Sequence, residues 1–463
     1  MHRAGGDRLL RACDSVSGEQ ARSLVSIRSM NLRKVFLLIF GLMASIGQGV
    51  SAQSVEGELS LEDCLRLAER APSVVSSAAL DLQASLYGVR QTRADLFPQL
   101  HVLNSVVYNS PLTDAAPGIQ SYVALNGIRE YSTLVDARVD LDTSGRMRAR
   151  LGRARADRDA ASARVRIARN VLKHQVTIAY YQSLLAQHLL AVAEATLRES
   201  REFETLTRRL SEQGEAARAD LVQASADAAS REQVVQQARL EVATAHRVLT
   251  SFWTSDVDRP VLLVDELEAL PAPEDLPSLA PGGTDAPYRS RPELSLWDAE
   301  ARSARFAARE ARAGLFPQTS LVYQWGLDSN QWALHDHGYA LFLNLDIPVF
   351  DWFKSRDSAR QSMLRAESLE HQKEAAERQY SRAYRDAIAR VRSYFEQVSV
   401  ARTQVRLFEE SLRLSRLRYE EGEGTALEVV TTQSRLAGAR INYLNALGSY
   451  WNAKADLEAA QGR

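Results

Sequence analysis

Several things are scarce or missing in this chain, and each shortage excludes something. Cysteine occurs twice in 463 residues, at Cys13 and Cys64. A disulfide scaffold is therefore excluded, and Cys64, at an apolar helical position, reads as a packed side chain. Proline is absent from 118–259 and again from 349–463. Tracts that long without the commonest helix breaker read as helix. Beyond the N-terminal region there is no run of 18 apolar residues, so no transmembrane helix is expected and any membrane span must be built from strands. A charge excess is missing too. The formal net charge is −1 with 25% charged residues, which lacks the basic bias that phosphate binding needs, so no nucleic-acid partner is expected. No nucleophile beside a base, no phosphate-binding loop and no metal-ligand cluster occurs. The chain is read as a non-enzyme with no cofactor and no metal. His335-Asp336-His337 is the only candidate metal pair. It falls between two strands and reads as a solvated loop, because metal sites need three or four converging groups.

What is present begins with an address. Met30-Asn31-Leu32-Arg33-Lys34, the apolar stretch 35–46, and Val50-Ser51-Ala52 before Gln53 have the order of a charged segment, a hydrophobic segment and a small-residue cleavage site. About a dozen apolar residues are too few for a membrane helix, which needs about 20. Export is expected, with the mature chain starting at Gln53, Met30 as the start of translation, and residues 1–29 without a role. Cleavage would leave Cys64 alone, which rules out an intramolecular disulfide. No cysteine lies at the cleavage site, which disfavours a lipid anchor.

The chain also says one thing twice. Ala94-Asp95-Leu96-Phe97-Pro98-Gln99 recurs as Ala313-Gly314-Leu315-Phe316-Pro317-Gln318. Each copy follows a short helical stretch and precedes an alternating strand, a loop, a second strand and a very long helix. So long a period indicates two fused structural halves rather than a solenoid. The expected organisation is an extension with signal peptide at 1–52, a first repeat at 53–270, a linker at 271–287 and a second repeat at 288–463.

The strands are read from alternation. In 133–141 the apolar Val135, Val139 and Leu141 interleave with Asp136, Arg138 and Asp140. In 339–347, Leu341, Leu343, Leu345 and Ile347 interleave with Ala340, Phe342, Asn344 and Asp346. Leu321, Tyr323 and Trp325 alternate with Ser320, Val322 and Gln324, whereas 100–108 is less regular and its register is open. Period two puts one face in an apolar medium and one in water. Four strands cannot close a barrel wide enough for a channel, but several protomers giving four each can. Tyr108, Tyr131, Trp325, Trp332 and Tyr339 suit the interfacial aromatic belts of a membrane barrel, and core packing is the other reading of each.

The long helices are expected at 146–213 and 353–421, each about 100 Å long by the helical rise. Each ends at a glycine, Gly214 or Gly422 with Gly424, and turns back into a helix at 215–253 or 425–461. Stretches 61–95 and 288–313 supply shorter helices that could flank the long ones end to end. Apolar residues at helical spacing, such as Val171, Ile178, Leu185, Leu189, Val192, Leu412, Leu414 and Leu417, mark packing faces.

Taken together, the signal peptide, the tandem halves, Leu-Phe-Pro-Gln before each first strand, Asp346-Ile347-Pro348-Val349-Phe350-Asp351 after the fourth strand, and the glycine turns followed by Asp220-Leu221 or Glu428-Val429 resemble the TolC-type outer-membrane efflux proteins. The similarity covers nearly all of 55–461. It implies a mainly α fold with β: a long helical coiled-coil barrel, plus four strands contributed by each protomer to a trimeric 12-stranded transmembrane barrel. The implied function is an outer-membrane duct of a Gram-negative tripartite pump, a homotrimer held in outer-membrane lipid that docks a periplasmic adaptor and an inner-membrane transporter. A protein-secretion duct and a non-transport periplasmic scaffold are the alternatives. Polar Asp136, Arg138, Asp140, Asn344 and Asp346 would then face a water-filled lumen, and Gly214, Glu215, Gly422 and Gly424 would form the adaptor-docking tips. The family is pinched at the tip by acidic residues after the second glycine turn, aided by a tyrosine and an arginine. Tyr419 and Glu428 match, Gly424 stands where the arginine would be and Thr431 replaces the second acid, so the gate is read as Glu428, Thr431, Tyr419 and Glu423. A cap on the helix that follows Gly424 is the other reading of Glu428.

Overall fold

The structure is a computed structural model that describes residues 58–109, 129–276, 287–329 and 337–462. The expected signal segment, its cleavage site, Cys13, Trp332, His335 and Asp336 lie outside these residues. Among the described residues seven α-helices and four strands follow one another as α1 Leu61–Arg70, α2 Val74–Ala94, β1 Gln99–Tyr108, β2 Arg129–Leu141, α3 Arg146–Glu212, α4 Arg218–Thr250, α5 Pro292–Ala313, β3 Gln318–Ser329, β4 Gly338–Asp346, α6 Lys354–Glu420 and α7 Ala426–Gln461. Among the described residues no helix is long and apolar enough to cross a membrane.

The proline-free tracts carry the two long helices, α3 and α6, each of 67 residues. Expected as one stretch, 61–95 is instead broken in two. Pro72 pushes Ala71 out of the helical region to ψ 153° and Ser73 starts the next helix, as the clash between proline and its predecessor requires. Helix α3 packs against α4 and α7, and also against α2 and α5; α6 packs against α5 and α7. Small side chains let these helices pack closely, with Ala149, Ala156, Ala160 and Ala163 buried on α3 and Ala299, Ala301, Ala304 and Ala308 buried on α5, which packs against both α3 and α6. Gly152 brings the backbones closest, since any side chain there would meet the Phe306 ring.

The main core gathers Cys64, Val176, Tyr180, Leu184, Ile388, Val391, Leu447, Tyr450 and Trp451. Tyr181 stacks on Trp451 at 4.3 Å. The Tyr180 hydroxyl and the Trp451 ring N–H donate to the carbonyls of Val264 and Leu267 at 2.7 and 2.8 Å, which ties the segment after α4 to the helices. Cys64 is fully buried, and loss of solvation pushes its thiol up to about 12, so it is packed and unreactive. The expected packing positions split. Leu412 is buried, but Val171, Leu414 and Leu417 stay exposed on the single chain.

The sheet has the order β1-β2-β3-β4, antiparallel throughout. The open register of 100–108 resolves into a ladder of ten paired residues, Gln99–Tyr108. Both outer strands, β1 and β4, leave an edge unpaired among the described residues.

The duplicated hexapeptide has a physical job at the corner between helix and strand. Proline ends each helix, and the following glutamine clamps the turn. Gln99 Nε2 donates to the carbonyls of Ala94 and Phe97 at 3.0 and 3.1 Å, and Gln318 Nε2 to those of Ala313 and Phe316 at 3.0 and 2.8 Å.

Candidate functional site

Two regions bring the expected functional residues together: one face of the sheet and the helical tips. Ladder partners share a face. Asp136 pairs with His101 and Gln324, Arg138 with Gln99 and Val322, Asp140 with Ser320, Ser320 with Asn344, and Gln318 with Asp346. All five strand residues singled out from sequence thus lie on one face. The structure adds Gln99, His101 and Gln318, which sequence reasoning missed, and joins to them Ser320 and Gln324, already set apart from the apolar face by alternation. Gln324 Nε2 donates to Asp136 at 3.1 Å and Arg138 pairs with Asp140 at 3.2 Å. Leu100, Val102, Val135, Val139, Leu321, Tyr323, Trp325, Tyr339, Leu341, Leu343 and Leu345 occupy the opposite face. In β1, Leu103 and Val107 fall on the polar face and Asn104 on the apolar one, which is why that strand looked irregular.

At the tips the two long helices end alike. Gly214 and Gly422 adopt left-handed φ of 79° and 78°. Each donates its N–H three residues back, to Ser211 and Tyr419, while Glu215 and Glu423 reach the carbonyls of Leu210 and Arg418, both at 2.9 Å. This is the paired hydrogen-bond stop that satisfies a helix's last carbonyls. Gly424 is different. Its φ is not left-handed, and its place is set by close approach to the Arg418 and Tyr419 backbone.

The gate residues separate. Tyr419 turns inward, 7% exposed in a core with Phe203, Leu412, Val429 and Leu436, and its hydroxyl finds no hydrogen-bond partner among the described residues. Thr431 and Glu423 are exposed. Thr425 caps α7 by accepting the Glu428 N–H at 3.2 Å, whereas the Glu428 carboxylate accepts from Arg418 Nη1 at 2.9 Å. Glu428 thus pairs across the turn. No arginine stands at the Gly424 position; the guanidinium that meets Glu428 is that of Arg418, one residue before Tyr419. Arg418 was not among the residues singled out from sequence, because spacing along one helix does not reveal a contact made across the turn. Deeper in, Arg440 bridges Glu199 and Glu409 at 2.9 and 3.3 Å, joining α3, α6 and α7, with both acids holding its guanidinium charged against partial burial. Among the described residues no group of three or more metal-ligating side chains converges.

A family model of the outer membrane efflux proteins matches residues 66–254 and 288–463. The chain belongs to that family. This efflux protein is similar to the probable efflux pump outer membrane protein TtgC of Pseudomonas putida, with 25% identity over 83% of each chain. It is similar also to the cobalt-zinc-cadmium resistance protein CzcC of Cupriavidus metallidurans, with 21% identity over 89% of this chain and 92% of that one. Its fold matches the solved structure of CusC with a TM-score of 0.78, 21% identity and coverage of 90% and 95% of the two chains. The outer-membrane channel OprN matches at 0.76. The efflux protein is accordingly an outer-membrane channel component, with its helices on the periplasmic side.

Proposed function

We propose that three copies of this efflux protein close a twelve-stranded barrel in outer-membrane lipid and a helical tunnel below it, forming a passive duct. A periplasmic adaptor and an inner-membrane transporter supply the cargo and the energy. The observation that carries the reading is the division of the sheet: Asp136, Arg138, Asp140, Asn344 and Asp346 share one face and a wall of Leu, Val and aromatic side chains covers the other, as expected for a barrel wet inside and lipid-clad outside. Four strands with two open edges need partners to close. The cargo class is small toxic compounds, drugs or metal ions, in keeping with relatives described for toluene, antibiotic and cation efflux. The tips at Gly214, Glu215, Gly422 and Gly424 are the docking surface for the adaptor. Glu428, held by Arg418 and flanked by Thr431 and Glu423, is the constriction, and Tyr419 supports it from the core. The two structural repeats meet through the 271–287 linker, after an exported leader at 1–52.

The test is on the fourth strand. Leu343→Arg or Leu345→Arg places a charge on the lipid face, at a cost of about 2–4 kcal/mol near the midplane, while Asn344→Arg points into water. Outer-membrane oligomer should be lost only in the first two variants. Equal insertion of all three would defeat the barrel reading.

A further inference from the structure

The two repeats are related by constant offsets, and those offsets carry information about a surface that the single chain leaves bare. Gly145 before α3 corresponds to Phe353 before α6, Ser144 to Trp352 and Gly214 to Gly422; Gln99 corresponds to Gln318, Tyr87 to Phe306 and Phe97 to Phe316. The β1–β2 register maps onto the β3–β4 register under these equivalences: Gln99 opposite Arg138 becomes Gln318 opposite Asp346. Even side-chain geometry repeats, since Arg90 lies 5.2 Å from the Tyr87 ring and Arg309 5.2 Å from the Phe306 ring.

Within the chain, the end of β2 meets the corner between α5 and β3. Thr143 donates to the Pro317 carbonyl at 3.2 Å, Ser144 and Gln318 share hydrogen bonds of 3.0 and 3.2 Å, and Ser144, Gly145, Phe306, Arg309, Ala313 and Phe316 line a hollow of about 370 Å³. The equivalent corner between α2 and β1 has no strand end beside it among the described residues. Tyr87 and Phe97 are each 60% exposed there. At the end of β4, meanwhile, small residues are replaced by large ones. Trp352 is 83% exposed, and Phe350 packs edge-on against both Trp352 and Phe353 at 4.9 and 5.8 Å. Trp352 and Phe353 also hold left-handed φ of 54° and 64°, a conformation that costs a bulky residue what Gly145 adopts freely. Two aromatics left exposed on the single chain with left-handed φ, where the first repeat uses serine and glycine, need something to cover them.

We infer that Trp352 and Phe353 of one copy seat against the Tyr87–Phe97 corner of a second copy, in the relation that Ser144 and Gly145 hold to Phe306 and Phe316 within one chain. This inference rests on the proposed trimer. The hollow left beside Gly145 is filled at the seam between copies by the two aromatic rings, so the joint within a chain is polar and the joint between chains is apolar. Where Gly152 touches Phe306, the seam has Arg360 opposite Tyr87, which keeps the helices farther apart and makes room for the rings. Applying the β2–β3 register to β4 and the β1 of the second copy sets Asn344 opposite Ser105 and Ile347 opposite Val102. Polar then meets polar on the wet face and apolar meets apolar outside.

Two measurements on the full-length protein in outer membrane test it. Oxidation of an Asn344→Cys/Ser105→Cys variant should link copies covalently, whereas Asn344→Cys/His101→Cys, on the same face but four residues out of register, should not; buried Cys64 stays silent. The variant W352S/F353G copies the first repeat and relieves the left-handed strain at Phe353, where the first repeat has Gly145, so each chain should still fold, yet the assembled oligomer should dissociate at a clearly lower temperature in detergent, and Tyr87→Ala should do the same. Wild-type heat resistance in W352S/F353G, cross-linking only out of register, or quenching of Trp352 in the oligomer by brominated phospholipid chains would overturn the seam. A wild-type particle of three copies without the Asn344–Ser105 link sinks this inference alone, and an in-register link in a particle of another size sinks the trimer while leaving the seam.

Discussion

Both helical tips close on the same backbone, with Gly214 and Gly422 left-handed and Glu215 and Glu423 bonded to the carbonyl five residues back, but the side chains around them differ. After the first turn, Ala217 starts α4 with no side-chain cap and Asp220 stands at the third helical position. After the second, Thr425 caps α7 and Glu428, at the same third position, is held by Arg418. The first tip has Leu210 where the second has Arg418. Duplication thus preserved the turn, which backbone geometry dictates, and let the charges diverge, which geometry does not constrain. The pairing of this third-position acid with an arginine across the turn is a feature of the second repeat.

The comparison can be broken most forcefully at what the tips share. Gly422→Val and Gly214→Val force a β-branched residue into a left-handed turn, costing about 2 kcal/mol each. Adaptor pull-down should weaken with either variant while the oligomer survives; wild-type capture would remove the tips as the docking surface. A smaller loss comes at the cap that only the second tip has. Thr425→Ala should destabilise the start of α7 by about 1 kcal/mol, seen as faster amide exchange after the turn, whereas Ala217→Ser at the first tip should slow it.

Smaller still in stability, yet larger in function, is the exposed pair. Glu428→Gln breaks the bond from Arg418 at a cost of about 0.2–1 kcal/mol. By removing up to three acids from one ring, it should shift cation-to-anion selectivity and block by divalent cations in planar bilayers. Asp220→Asn should shift neither. Unchanged selectivity in a conducting Glu428→Gln oligomer would return Glu428 to a helix-end role. The smallest effect belongs to Gly424→Ala. Ala216 already occupies the equivalent place in the first turn, so thermal stability should move by no more than about 0.5 kcal/mol; a large loss would mean that the second turn is tighter than the first.

Much of this was legible in the order of residues. A proline-free tract can hardly be anything but helix, a period of two must present two faces, and a glycine ending each long helix marks a left-handed stop, because each depends on local backbone sterics that a few neighbouring residues decide. The duplication was legible for the same reason: Leu-Phe-Pro-Gln builds one local corner twice. What tertiary structure decided lies where residues far apart in sequence meet. Register across strands assigned His101 and Gln99 to the polar face, since β1 breaks its own alternation at Leu103, Asn104 and Val107. Packing turned Tyr419 into the core against Phe203 from another repeat. The reversal of the chain at Gly422 brought Arg418 to Glu428, a contact that spacing along one helix does not reveal. Phe353 and Trp352 took a backbone conformation that their side chains disfavour. Sequence fixes preferences residue by residue, and only the folded chain sets which preferences yield to the partners they meet.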